Sequence, residues 1–551
     1  MTSQNIFSET LARGLTPSRV IWLFAAVNLM VFQVPLLRYV NASVSLRGTL
    51  GLSVLAVLIA LSLMLMWLVL GVSSLVSVRL LKPLIIGFSL CNGLALYAMN
   101  HYQVILDRAM MGNVFNTNTA EAAGLLHPSL AVYVALAGAL PGWLAWKLRF
   151  AAEGRLRRAT HLVGVWVVGG LLIFSQSGAW LWIDQNAKVM GGLMLPWSYS
   201  VNSIRYVVEK NRSSRELEPL PPIEWQASAE GIEPVTVVLV IGESARSGNF
   251  SLYGYERDTN PKLKARQVVA LPNAVSCSTY TTRSLECILS HDPAAGSLTH
   301  EVLPSYLGRS GHVDVLWRSR NWGEPPLKHL KIQNFEELGP FCVPPLCRFP
   351  EQDEALLGSL DQVIAQAGHA RQLIVLHQAG SHGPAYNGKY PAGFARFTPA
   401  CDSVDLKACS PESLINAYDN TVAYTDEVLD RLISVLEGQK KRRSVLIYLS
   451  DHGESLGEGG WYLHGAPAAL APAVQRSIPF LVWMSPAFAR DFRIKSEHLD
   501  AAAVQNAESS GAPAIRTNGQ GLVFHTVLGA LGVRGGAYRA ELDLFEPKGE
   551  H

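Results

Sequence analysis

Strong charge asymmetry is missing from this chain. Its 46 Lys and Arg residues stand against 44 Asp and Glu, a net charge of +2 over 551 residues, so no basic excess stands ready for a nucleic-acid backbone. Cysteine is scarce as well, with seven in all, and none falls into zinc-ribbon spacing. No A-x-A-like cleavage site follows the first apolar run, which argues against a removed signal peptide and for a retained anchor. Long repeats and a disordered tail are also lacking.

Apolar residues are plentiful, and they crowd into the first third. Five runs approach the ~20 residues needed to span a bilayer, at about 18–37, 50–70, 77–98, 129–147 and 162–182. Lys147, Arg149, Arg155, Arg157 and Arg158 gather in the connection after the fourth run, which marks that side as cytoplasmic. Arg79 and Lys82 agree with it; Arg38 and Arg47 oppose it mildly and are outweighed. Five spans with the N-terminus inside leave everything after about residue 183 outside. Cys91 lies in a span, and the other six cysteines lie in the outer part as close pairs: Cys277/Cys287, Cys342/Cys347 and Cys401/Cys409. Six cysteines permit about 15 pairings, of which nearest-neighbour bonding is one. An oxidising compartment fits this usage.

The expected organisation is a five-helix transmembrane domain over 1–182, a linker over 183–232 with the Pro-rich "RELEPLPPIEW", and an α/β domain over 233–551. In that last part, short apolar strands alternate with helical patterns: "TVVLVIG", "HVDVLW", "QLIVLHQ", "SVLIYLS" and "IPFLVWM", with helices near 282–290, 352–367 and 412–437. Runs without strict alternation are covered on both faces, which predicts a mostly parallel sheet.

In open α/β sheets, functional groups gather beyond the carboxyl ends of the strands. Glu243 follows the first strand, His382 follows "LIVLHQ" within "AGSHGP", and Asp451, His452 and then His464 follow "SVLIYLS". One strand-end acid is commonly a helix cap, and one histidine is commonly structural. Together these residues suit a divalent metal, and mixed nitrogen and oxygen ligation favours zinc. In "CSTYTTRSLECILS", Thr279, Thr281 and Thr282 precede a short helical pattern, whose free N–H groups form a natural phosphate site. A plain N-cap is the bland reading there. A nearby metal would instead turn one hydroxyl into a nucleophile.

The segments "IGESARSGNFSLYGYERDTNP", "SCSTYTTRSLEC", "HQAGSHGP", "NAYDNTVAYTDEVLD" and "LSDHGESLGEGGWYLHGAP" resemble the phosphoethanolamine transferases of Gram-negative inner membranes. That family belongs to the alkaline-phosphatase/sulfatase superfamily and includes lipid A-modifying enzymes linked to polymyxin resistance. The resemblance implies zinc ligation by Glu243, Thr281, Asp451 and His452, with Thr281 as nucleophile. It implies that His382 and His464 surround the substrate phosphate, sometimes with a second zinc, and that all three cysteine pairs are disulfides. "NVFNTNTAE" resembles the family's lipid contacts, which assigns Asn113, Thr117 and Glu121 to the donor headgroup. Their i, i+4, i+8 spacing would put them on one face of a helix. Lys328, in "WRSRNWGEPPLKHLK", is the nearest match to the family's active-site lysine, and "CVPPLC" is a tighter loop than the family's usual one.

The resemblance implies a two-step transfer in the periplasm, by a monomer, from phosphatidylethanolamine to Thr281 and on to a lipopolysaccharide phosphate or sugar hydroxyl. Three rivals share some of these features. A phosphoglycerol transferase would use another donor, a phosphodiesterase or sulfatase would use water, and a non-catalytic membrane sensor or scaffold would need the ligand set to be incidental. The basic connection at 147–158 yields the first test. A phosphatase reporter fused near residue 200 should be active and one near residue 153 inactive; the opposite pattern would overturn the five-span topology.

Overall fold

The computed structural model describes residues 14–117, 127–176, 179–213, 217–226, 233–292, 298–468, 470–492, 499 and 519–546. The chain divides into two compact units, Met1–Val114 with Leu126–Val208 and Phe115–Leu125 with Glu209–His551.

The first unit is helical. Helix α1 (Pro17–Phe32) bends by 53° into α2 (Val34–Ser43). The break falls at Gln33, just before Pro35, whose ring cannot donate a backbone hydrogen bond. Gln33 is buried there, and its amide donates to Asn28 Oδ1 at 2.8 Å and to the Leu195 carbonyl at 2.5 Å. Next come α3 (Thr49–Val76), α4 (Val78–His101), α5 (Arg108–Asn116), α6 (Pro128–Lys147) and α7 (Arg155–Ser175), then α8 (Trp180–Leu193) and α9 (Trp197–Ser213). Among the described residues, α3, α4, α6 and α7 are each long and apolar enough to cross a membrane, and the bent pair α1–α2 makes a fifth if it counts as one span. Val163, Val167, Leu171 and Phe174 remain exposed along α7, an apolar stripe that suits lipid and not water.

Two expectations need correction. The fifth apolar helix is Arg155–Ser175 and not 162–182. The arginines do not end it, because Arg155 and Arg157 are exposed at its first turn and Arg158 donates to the Ser74 carbonyl. Residues 183–232 are also no plain linker. Most of 183–213 lies in α8 and α9. The Pro-rich piece is bound to the second unit: Leu220 is buried in its core, its N–H donates to Glu301 at 2.8 Å, and Trp225 bridges to Val533.

Among the described residues the second unit holds a seven-stranded sheet. Its strands are β1 (Val235–Gly242), β2 (Val269–Ala270), β3 (Val313–Ser319), β4 (Lys331–Gln333), β5 (Arg371–His377), β6 (Arg443–Ser450) and β9 (Phe480–Met484), in the order β2-β9-β6-β1-β5-β3-β4. The short pair β7 (Ser455–Leu456) and β8 (Tyr462–Leu463) lies apart. β6, β1, β5, β3 and β4 run parallel, while β9 and β2 pair antiparallel at one edge. The uninterrupted apolar run of β1 follows from burial on both faces. Val237, Leu239 and Ile241 enter one core cluster and Val238 and Val240 the other.

Two helices of this unit support the strand ends, α10 (Thr281–Leu289) and α11 (Pro411–Gly438). Ser410 caps α11 by accepting from the Ser413 N–H, and Pro411 occupies the first position, where no N–H is needed. The helix expected over 352–367 is divided into Asp353–Leu357 and Leu360–Ala365, because Ser359 takes a left-handed conformation between them. Disulfides join Cys277 to Cys287, Cys342 to Cys347 and Cys401 to Cys409.

Candidate metal centre and nucleophile

Strand register builds this site. Gly242 at the end of β1 pairs with Ser450 at the end of β6. The next residues, Glu243 and Asp451, therefore emerge side by side, and the Asp451 N–H donates back to the Gly242 carbonyl at 2.9 Å. Both side chains are fully buried, as is His452.

Second contacts orient these side chains. Asp451 Oδ1 accepts the backbone N–H groups of Ser244 at 3.0 Å and His452 at 2.7 Å. That leaves Oδ2 buried without a hydrogen-bond partner, 3.2 Å from His452 Nε2. His452 Nδ1 donates to the Gly453 carbonyl at 3.0 Å, which fixes the tautomer and turns the Nε2 lone pair into the site. Glu243 Oε1 accepts from Ser244 Oγ at 2.8 Å and lies 3.3 Å from His452 Nε2.

Thr281 closes the group. It is the first residue of α10 and is buried; its Oγ1 lies 3.2 Å from Glu243 Oε2 and 3.4 Å from His452 Nε2. Thr279 turns elsewhere, donating to the Ala466 carbonyl at 2.7 Å. The methyl group of Thr282 faces Gly323. Geometry thus separates three threonines that composition alone left equivalent. The Cys277–Cys287 disulfide ties the loop before Thr281 to the far end of α10.

Electrostatics follow from burial. It pushes the Asp451 carboxyl well above the ordinary range, and the Glu243 charge adds to the push. Burial acts upward on Glu243 too, but the facing His452, His382 and His464 outweigh it and hold that carboxyl low. His452 is pushed down to about 3 by burial and then by His464, so its imidazole is neutral and available as a ligand. Two buried carboxylates, a neutral imidazole and a hydroxyl, with the unsatisfied Asp451 Oδ2 among them, fit a divalent cation.

Glu243, Asp451 and His452 present ligand atoms within 4.8 Å of one another, and so do Glu243, His382 and His464. Glu243 is the shared corner. The His464 ring stands 5.0 Å from that of His382 and 4.2 Å from that of His452, and its Nδ1 is 3.1 Å from the buried Glu454 carboxylate. Among the described residues of this unit, Lys328 is not one of the grouped ligand candidates. Lys328 is exposed on the segment after β3, its N–H donating to Ser305 Oγ at 2.9 Å. Asn113 is half-buried on α5, which ends at Asn116, so Thr117 follows the helix instead of continuing its face. Glu121 lies outside the described residues.

Several supports were missed from sequence. Tyr418 on α11 donates to the Ser244 carbonyl at 2.8 Å and accepts the Arg246 N–H at 2.9 Å. Ser244 is held at φ 55°, a conformation that costs a non-glycine residue about 1–3 kcal/mol. Asp353 accepts the N–H groups of Ala379 and Gly380 at 2.9 Å each, fixing the loop that carries His382. Gly380 has φ +49°, and a Cβ there would sit 2.6 Å from the Glu243 carbonyl. Asn321 donates to Glu243 Oε2 at 2.7 Å. It stands two residues past the end of β3, so extending the strand-end search to "HVDVLW" would have reached it.

Comparison with known proteins bears on the family and the fold. A family model for sulfatases matches residues 235–533, and one described as phosphoethanolamine transferase EptA/EptB matches residues 64–211. The chain is 40% identical over 483 residues to phosphoethanolamine transferase EptA of Helicobacter pylori, covering 86% of this chain and 87% of that protein. It is 33% identical over 476 residues to phosphoethanolamine transferase EptA of Salmonella typhimurium, covering 84% of each. The solved integral membrane lipooligosaccharide phosphoethanolamine transferase A (EptA) from Neisseria meningitidis matches with a TM-score of 0.85 at 28% identity, over 96% of this chain and 98% of that one.

The buried carboxylate pair sets a stability test. The folded-state pKa of Asp451 is raised, so metal-free wild type should lose stability as pH climbs from the ordinary aspartate range through the raised value. Asp451→Asn removes that loss, and in chelator-treated protein near pH 8 it should melt a few degrees higher, at about 2–4 °C per kcal/mol. Added zinc should raise the melting midpoint of wild type and leave the variant's in place. A variant that melts below wild type without metal, or responds to zinc equally, would contradict the assignment.

Proposed function

We propose that this chain, which belongs to the phosphoethanolamine transferase family, moves phosphoethanolamine from phosphatidylethanolamine to lipopolysaccharide through a covalent intermediate on Thr281. The observation that carries the reading is the Thr281 hydroxyl at the start of α10, 3.2 Å from Glu243 and 3.4 Å from His452. A phosphoryl group bound there meets the free N–H groups and positive dipole end of the helix.

In the first half-reaction Thr281 Oγ attacks phosphorus. The Oγ–P bond forms as the bond to the diacylglycerol oxygen breaks, the Thr281 proton leaves, and the departing oxygen is protonated. In the second, a lipid A phosphate oxygen or a core sugar hydroxyl attacks, the P–Oγ bond breaks, and Thr281 regains its proton. His382 and His464 exchange protons at these oxygens or hold the phosphate. Glu243, Thr281, Asp451 and His452 would hold zinc, which activates a hydroxyl at neutral pH and offsets phosphoryl charge. Glu243, His382 and His464 would take a second ion. Asn113, Thr117 and Glu121 would receive the ethanolamine headgroup, and Lys328 would contribute to substrate binding. The protein would act as a monomer in a Gram-negative inner membrane, with the catalytic unit in the periplasm. A lipid donor accounts for a sulfatase-like unit joined to membrane-spanning helices.

Incubation with phosphatidylethanolamine and no acceptor should leave a phosphoethanolamine adduct on the peptide containing Thr281. Thr281→Ala should abolish both adduct and transfer while the protein still folds in the membrane. An adduct on Thr279 or Thr282, or full activity in Thr281→Ala, would refute the assignment.

A further inference from the structure

We propose that Asn321 is a positioning residue for the Glu243 carboxylate, locked by a Ser319–Glu324–His377 block at the ends of β3 and β5. The inference rests on the reading of Glu243 as a metal ligand and Thr281 as the nucleophile.

A glutamate's last torsion is broad and roughly two-fold, so the plane of the Glu243 carboxylate is not set by its own rotamer. Two neutral donors set it instead. Ser244 Oγ serves Oε1 at 2.8 Å, and Asn321 Nδ2 serves Oε2 at 2.7 Å. Oε2 is also the oxygen that faces Thr281. The amide cannot turn over without loss. Its Oδ1 accepts the Trp322 N–H at 2.9 Å, and Nδ2 also donates to the Gln378 carbonyl at 3.0 Å.

The turn that carries Asn321 is itself fixed. Ser319 pairs in register with His377, and the Arg320 N–H donates to the His377 carbonyl at 2.9 Å. The Asn321 N–H donates to Ser319 Oγ at 3.1 Å, and Ser319 Oγ donates to Glu324 Oε1 at 2.5 Å. His377, fully buried, places Nδ1 3.2 Å from the same Glu324 oxygen. Gly323, inside this turn, packs on the start of α10: a Cβ there would lie 3.0 Å from Thr282 Cγ2 and 3.7 Å from Thr281 Cγ2. One short turn therefore touches both Glu243 and the Thr281 end of α10, and sets the distance between them.

The test uses full-length protein and reads zinc affinity by chelator competition, alongside kcat, KM and the melting midpoint of the metal-free form. Asn321→Leu keeps the branched shape and removes the donor. It should weaken zinc binding by about 10–100-fold, lower kcat with little change in KM, and lower the metal-free midpoint by only a few degrees, since the Trp322 N–H and the Gln378 carbonyl lose their amide partner. Glu324→Gln, which acts only through the turn, should shift zinc affinity in the same direction by less, and it carries the test if Asn321→Leu fails to fold. Glu243→Gln is the control. If it loses zinc while both other variants bind as wild type does, the positioning role is wrong and the ligand reading stands. If Glu243→Gln also binds normally, the ligand reading fails and this inference with it.

Discussion

Everything in the catalytic unit depends on holding two fully buried carboxylates side by side. Gly242 and Ser450 pair in register on neighbouring parallel strands, so the backbone forces Glu243 and Asp451 together. Such a pair is unfavourable alone, since burial and mutual repulsion both oppose two charges. The surroundings resolve the conflict unevenly. Asp451 Oδ1 is satisfied by two backbone N–H groups, yet Oδ2 is left with no partner. An unpartnered buried carboxylate oxygen beside a second carboxylate and an imidazole is a donor set that fits a divalent cation.

The rest of the unit reads as reinforcement of that arrangement. α11 contributes Tyr418 beneath Ser244, and Thr421, whose hydroxyl donates to Ser381 at 2.7 Å. Asp419, on the same helix, accepts from Asn249 at 2.6 Å and from Arg257 at 3.0 Å, tying down the segment after β1. The strained backbone at Ser244 persists because both its neighbours and its own groups are over-determined by these bonds. On the opposite side, the disulfide-braced α10 brings the Thr281 hydroxyl to the carboxylates.

Much of this was legible in sequence for a single reason. A strand buried on both faces reads as an unbroken apolar run, so its end is easy to find, and the acid or histidine beyond it stands out. Glu243, His382, Asp451 and His452 were reached that way. The threonine choice was not, because Thr279, Thr281 and Thr282 differ only in orientation, and recognising the family's spacing supplied what periodicity could not. Asn321 escaped because a neutral amide draws less attention at a strand end than a charge does. The segment 183–232 was misjudged since prolines read as a linker whether or not Leu220 between them finds a core. The start of the fifth apolar helix was misplaced because arginines in its first turn look like a loop when their exposure is unknown.

The reaction proposed for this chain runs in two displacements, with Thr281 as the waypoint. The stereochemistry at phosphorus tests that claim most directly. With a donor made chiral at phosphorus by isotopic oxygen or sulfur substitution, each in-line displacement inverts the centre. The account predicts net retention in the phosphoethanolamine delivered to the acceptor. Net inversion would show a single displacement by the acceptor, with no covalent Thr281 intermediate.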